Sequence, residues 1–130
     1  MPKFKVLSAV LLLNAGAATA NTNALKNPVI GLPEAGSFEV VNKWSPKTDY
    51  FWCSAARAAL ERGASHRDRI YVSAAMGPSR TSRGARAVAF TFRPDAQVLA
   101  QAVSGTDLGR VGSNMSVAQG KRRCVRELDG

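Results

Sequence analysis

The sequence predicts an α+β domain in which a small antiparallel sheet of about three to four strands packs against two helices. Three segments have the character of strands, through β-forming composition in one and alternating side chains in two, and two others have helical signals, an apolar face in one and a capping box in the other. The chain has 130 residues, of which 45% are hydrophobic and 21% charged. This length and composition suit one globular domain.

Residues 1–20 have the pattern of a secretory signal peptide. Two lysines precede an apolar run over residues 6–13, and small residues then lead to an Ala-Thr-Ala cleavage motif. The run is much shorter than the roughly 20 residues that a membrane-spanning helix needs, so a membrane anchor or a buried helix is the weaker alternative. Cleavage after Ala20 would leave a mature chain that begins at Asn21 and is periplasmic or secreted.

The mature chain opens with a segment that lacks any sustained period. Residues 21–36 contain two Pro, two Gly and three Asn, which predicts an extended leader or linker before a single domain over residues 37–130. Residues 37–44 are rich in β-forming side chains and predict the first strand. Residues 47–63 place their apolar side chains on one helical face and end at Gly63, so they predict the first helix.

Two further strands follow this helix. Residues 69–75 and 85–93 alternate in the manner of strands, and the second of them directs large apolar side chains to one face and small ones to the other. Residues 77–84, which lie between them, predict a long hairpin loop because they combine Gly, Pro, Ser and Thr.

The C-terminal part of the chain predicts one more helix. Residues 96–103 fit either a short helix or a strand. Ser116 and Gln119 have the spacing of a capping box and open a helix that runs to about residue 128. Gly120 lowers the helical propensity of this segment slightly.

Cys53 and Cys124 are the two cysteines of the chain, one on each predicted helix. An even number of cysteines in an exported chain favours a disulfide, which here would join helix to helix. Closing a loop of about 70 residues would stabilise the fold by roughly 4 kcal/mol in the chain-entropy description. The alternative is a catalytic or redox thiol, which calls for a CxxC pair or a neighbouring His, and the sequence contains neither.

The charge balance is strongly basic, with 18 Lys+Arg against 9 Asp+Glu. Loss of the two N-terminal lysines lowers the formal charge from +9 to +7. In a cytosolic protein this excess would favour nucleic-acid binding, whereas an exported protein meets anionic envelope components or acidic proteins instead. The alternative is a solvated basic surface without a partner. The mature chain contains no apolar run that would form a transmembrane segment.

The predicted hairpin loop carries a candidate site for anions or protein partners. Arg80, Arg83 and Arg86 recur at spacings of three among Ser and Thr hydroxyls and two glycines. Guanidinium forks, hydroxyls and free backbone N–H groups are the groups that bind anions. The alternative is a mobile, solvated loop.

Evidence for catalysis is slight. His66 lies in a polar turn two residues from Asp68, and a hydrolase would pair it with a nearby serine. The acidic residues do not have metal-ligand spacing, and no phosphate-binding loop is present. We therefore expect no catalytic residue, no metal site and no cofactor. The aromatic run 50–52, with Trp44 upstream, fits a helix core or, alternatively, a recognition surface.

Residues 49–56, 69–72, 77–79 and 87–92 together with Cys124 resemble small exported proteins of unknown function from alphaproteobacteria. The shared features are an aromatic-Trp-Cys motif, a hairpin and a second cysteine near the C-terminus, and the resemblance spans roughly residues 38 to 126. It implies paired cysteines and a Gram-negative periplasm. Because those proteins have no established activity, the resemblance implies none for this chain.

Together these features favour a non-catalytic periplasmic binding or envelope-associated module that uses its Arg-rich hairpin. A small periplasmic hydrolase that uses His66, and an orphan structural domain, remain the alternatives.

Overall fold

The computed structural model describes residues 26–129, so the predicted signal peptide and the first residues of the predicted leader lie outside the described part. The elements are, in chain order, β1 Val29–Gly31, β2 Ser37–Val41, α1 Thr48–Glu61, β3 Arg69–Pro78, β4 Arg86–Thr91, α2 Ala96–Ala100, β5 Val103–Ser104, β6 Ser113–Ser116 and α3 Val117–Asp129. No helix in this part of the chain is long and apolar enough to cross a membrane.

The predicted α+β class is confirmed, but the predicted sheet of three to four antiparallel strands is wrong. The sheet has six strands in the order β1-β2-β4-β3-β6-β5, and β5 pairs with β6 in parallel. The additional strands are hard to recognise because β1 and β5 have only three and two residues. β6 reads Ser-Asn-Met-Ser, a polar sequence that nevertheless is largely buried.

β1 lies inside the segment that the sequence predicted as a leader. Val29 pairs with Val40 of β2, so the sheet begins before residue 37. The buried Asn27 fastens the chain ahead of β1, because its amide oxygen accepts hydrogen bonds from the backbone N–H groups of residues 43–45 at 2.7–3.2 Å. Its amide nitrogen donates to the Ser45 carbonyl at 2.8 Å.

The core lies between one face of the sheet and α1. Phe38 of β2 and Phe90 of β4 stack with ring centroids 6.1 Å apart, and Trp52 of α1 meets Phe90 edge-on at 5.1 Å. All three rings are fully buried. The alternation predicted for β4 is therefore present, with Val88 and Phe90 facing the core.

α1 packs closely against α3. The predicted Cys53–Cys124 disulfide is present, with Cα atoms 4.9 Å apart and a sequence separation of 71. A Cβ atom on Gly120 would lie 2.8 Å from the Ala56 Cβ and 3.0 Å from the Trp52 carbonyl oxygen. The glycine that lowers helical propensity therefore allows the two helices to approach each other.

Side-chain hydrogen bonds cap the N-terminal ends of α2 and α3. The Ser116 and Gln119 side chains each accept from the other's backbone N–H, at 3.1 and 2.8 Å, which is the predicted capping box. The ambiguous segment 96–103 forms both a helix and a strand: Asp95 caps α2 by accepting from the Val98 N–H at 3.0 Å, and β5 follows. The part of the chain that the structure describes thus has three helices rather than two.

The second face of the sheet, here called the outer face, is only partly covered. Val98 of α2 is buried there and borders a groove of about 600 Å³ together with Ala89 and Thr91 of β4. The register of β3 against β4 shifts twice between Val72 and Gly77. These irregularities adjoin the hairpin that carries the candidate site.

Candidate functional site

The hairpin loop between β3 and β4 contains Arg80, the first residue of the predicted anion site. Its guanidinium donates to both carboxylate oxygens of Glu34, at 2.9 and 3.3 Å. The hydrogen bond from Arg80 lowers the pKa of Glu34 below its ordinary value. Arg80 therefore already has an anionic partner within the chain, in the turn before β2.

Glu39 holds the same hairpin against the outer face of the sheet. This carboxylate is only 3% exposed and accepts three hydrogen bonds of 2.8 Å, from the Ser79 and Thr81 hydroxyls and from the Arg80 backbone N–H. Burial alone would raise the pKa of Glu39, but these hydrogen bonds outweigh burial and lower it. The ionised carboxylate thus fixes the start of the loop.

The hairpin is therefore built to surround an anion, and that anion is a side chain of the protein itself. The Ser79 oxygen also accepts from the backbone N–H groups of Thr81 and Ser82, at 3.1 and 2.9 Å, so the loop forms a compact turn. Two of the hydroxyls that the sequence offered to an external anion, those of Ser79 and Thr81, are consequently used by Glu39.

Arg83 and Arg86 differ from Arg80 in their surroundings. Both are exposed, and neither side chain makes a hydrogen bond or ion pair within residues 26–129. The structure therefore separates the three predicted arginines: one holds the loop to the domain, and two face solvent.

Arg86 lies at the end of the sheet where β2 ends and β4 begins. Its carbonyl accepts from the Asn42 N–H at 2.8 Å, which places Lys43 and Trp44 next along the chain. The Lys43 ammonium lies 5.2 Å from the centroid of the Trp44 ring, and Trp44 is 56% exposed. We call Lys43, Trp44, Arg83 and Arg86 the basic sheet end.

The predicted aromatic cluster divides between two environments. Phe51 and Trp52 are fully buried, and the Trp52 indole N–H donates to the Thr106 carbonyl at 3.0 Å. Trp44 instead lies at the surface, where it is the most exposed large hydrophobic side chain of the described residues. The core interpretation therefore holds for Phe51 and Trp52, whereas Tyr50 is half-buried with the Lys47 ammonium 5.5 Å from its ring centroid, and Trp44 lies at the surface.

His66 is exposed in the turn before β3. The Asp68 carboxylate accepts from the Ser65 backbone N–H at 2.7 Å and makes no ion pair with the imidazole. Among the side chains that the structure describes, no group of three or more His, Cys, Asp or Glu is arranged to hold a metal ion.

Sequence reasoning missed Glu39 and the role of Glu34. Both lie far before the hairpin in the chain, with separations of 41 and 46 from Arg80. The single available signal was a Glu flanked by Phe38 and Val40 in a strand, which predicts a carboxylate on the face opposite the core. No protein-family model matches the sequence, and comparison with curated proteins and with solved structures likewise gives no significant match.

Proposed function

We propose that this protein is an exported, non-catalytic module that binds anionic lipid surfaces through the basic sheet end. Export is supported by the N-terminal sequence pattern and by the disulfide, which persists in oxidising compartments. The binding role is supported by one observation above all: two exposed arginines without acidic partners lie on the β3–β4 hairpin. The second of them, Arg86, accepts a backbone hydrogen bond from Asn42, directly before Lys43 and the exposed Trp44.

Each member of the basic sheet end suits the lipid interface. Arginine forms forked hydrogen bonds with phosphate oxygens. Tryptophan combines an apolar ring with one polar N–H, and such side chains are enriched at the headgroup level of membranes. Because Glu34 and Glu39 are occupied by the hairpin, their negative charges do not neutralise Arg83 and Arg86 by direct pairing.

The test measures binding to phospholipid vesicles of mixed neutral and anionic composition by co-sedimentation. We expect binding that increases with the anionic fraction and weakens with added salt, because salt screens charge attraction beyond about 10 Å at 0.1 M. The double variant Arg83→Gln/Arg86→Gln should bind about fivefold more weakly for each charge removed. The fold should remain intact because both side chains are exposed.

The matched control is Arg67→Gln, which removes one exposed arginine at the opposite end of β3. We expect it to leave vesicle binding nearly unchanged. Equal losses for Arg67→Gln and for either single variant in the hairpin would mean that net charge, rather than this surface, is responsible. Failure of the natural protein to bind anionic vesicles would overturn the proposal.

A further inference from the structure

A groove of about 710 Å³ runs beside α1, on the helical side of the molecule. Its walls come from the segment that leads into β1, from α1 and from α3. The residues that matter here are Val29, Ser54, Arg57, Ala58, Leu60 and Lys121. We call this feature the helix groove. Its volume lies within the range of small-molecule sites in proteins.

Ser54 distinguishes the helix groove from an ordinary surface depression. The side chain is only 4% exposed, and among the side chains that the structure describes its hydroxyl oxygen is the one buried N or O atom that has no hydrogen-bond partner. A serine inside a helix usually satisfies its hydroxyl on the carbonyl four residues earlier, and Ser54 does not. A buried hydroxyl without a partner costs free energy unless a ligand or water satisfies it.

The surroundings of Ser54 specify the charge of a ligand. Arg57 follows Ser54 by three positions on α1, and Lys121 faces the groove from α3. Both side chains are half-buried, and neither forms an ion pair within the described part of the chain. Glu61 lies further along the same groove and disfavours a second negative charge. Lys26, which has a contact of its own, also lines the groove, so basic side chains outnumber the one carboxylate there. This combination suits an anionic group.

The remaining walls specify the rest of the ligand. Val29, Ala58 and Leu60 provide apolar surface beside the two cations. The disulfide at Cys124 lies one turn beyond Lys121 and fixes the separation of α1 and α3, so it holds the Lys121 side of the groove in place relative to α1.

We infer that the helix groove binds a monoanionic amphiphile, a carboxylate with a short aliphatic chain. The Ser54 hydroxyl and the Arg57 and Lys121 cations bind the carboxylate, and the apolar wall receives the chain. This site uses none of the side chains of the basic sheet end, although Asn27, which lines the groove, is hydrogen-bonded to the backbone of Lys43 and Trp44. The inference stands whether or not the protein binds vesicles.

The test uses isothermal titration calorimetry of the complete mature protein with octanoate, 1-octanol and acetate. We expect saturable binding of octanoate and much weaker binding of the other two, which lack either the charge or the chain. Ser54→Ala should weaken octanoate binding about fivefold, as expected for one hydrogen bond, and Arg57→Gln about tenfold. Lys121→Gln should resemble Arg57→Gln.

Thermal unfolding without ligand separates a binding role of Ser54 from a structural one. Ser54→Ala removes an unsatisfied buried hydroxyl, so its Tm should equal or exceed that of the natural protein while its stabilisation by octanoate falls. A marked loss of Tm would show that Ser54 has a structural partner and would overturn the inference. Equal affinity for octanoate and 1-octanol would also overturn the inference, and so would the absence of saturable octanoate binding.

Two controls keep this inference distinct from the proposed function. Arg83→Gln/Arg86→Gln should bind octanoate as the natural protein does, and Ser54→Ala should bind vesicles unchanged. An octanoate affinity that falls equally in the hairpin variant would indicate non-specific charge attraction and would also contradict the helix groove.

Discussion

At the scale of single residues, Glu39 is the carboxylate on which the hairpin depends. Because its pKa is lower in the folded protein than in the unfolded chain, its stabilising contribution is present above the unfolded-state pKa. That contribution is lost as the pH falls through the folded-state pKa. Glu34, paired with Arg80, titrates in the same direction but is exposed and contributes less.

Glu39→Gln tests this role. An amide keeps an acceptor oxygen but carries no charge, so we expect the free energy of unfolding near neutral pH to fall by about 1–3 kcal/mol. The variant should also lose less of its stability on acidification than the natural protein. Urea unfolding at a series of pH values measures both effects, with Glu34→Gln as the exposed control. If the free energy of unfolding fell equally with decreasing pH in the natural protein and in Glu39→Gln, this account would be contradicted.

Gly120 shows how packing reverses a rule of helix propensity. In an exposed helix, Gly→Ala stabilises by about 1 kcal/mol. Here the new methyl group would press on Ala56 and on the Trp52 carbonyl oxygen of the partner helix. We expect Gly120→Ala to destabilise the fold by about 1–3 kcal/mol, measured by urea unfolding. A gain in stability would mean that the two helices can move apart at little cost.

At the scale of elements, the disulfide joins the two helices that cover the core. Replacing both Cys53 and Cys124 by alanine removes a cross-link with a sequence separation of 71, and we expect a loss of roughly 4 kcal/mol in the free energy of unfolding. Urea unfolding of the double variant and of the reduced natural protein should agree. A loss below about 1 kcal/mol would show that helix packing alone holds this side of the molecule.

The elements that sequence predicts well are those with a sustained period. α1, β3 and β4 are long enough to display it, and α3 carries a capping box at its start. β1, β5 and β6 have four residues or fewer, so their place in the sheet is decided by partners elsewhere in the chain. β6 is a clear case, since pairing with β3 on one side and β5 on the other explains the burial of its polar residues.

The candidate site, like the short strands, could be predicted from the sequence only in part. Sequence placed three arginines on a hairpin but did not distinguish Arg80, which pairs with Glu34, from Arg83 and Arg86, which face solvent. The distinction depends on β2 lying beside β4, a contact between distant parts of the chain. Pairings of this kind leave no local periodicity, so only the folded sheet reveals them.

At the scale of the whole molecule, the compartment governs the interpretation of the basic charge. We predict that protein recovered from its native host begins at Asn21 and carries a closed disulfide, because the N-terminus has the signal-peptide pattern and the two cysteines are bonded. Intact-mass measurement, with and without reduction before thiol alkylation, tests both statements. Without reduction the mass should be that of the mature chain less two hydrogens, and alkylation should add groups only after reduction.

A full-length chain with two alkylatable thiols would contradict export, and it would change the function as well as the location. The excess of basic side chains would then face nucleic acid and the inner membrane surface rather than the envelope. The exposed Arg83 and Arg86 would remain, but their partner would have to be sought among those polyanions. A mature chain with the disulfide closed excludes thiol catalysis, because neither Cys53 nor Cys124 would be a thiolate. The vesicle experiment would then be performed under the conditions in which the protein works.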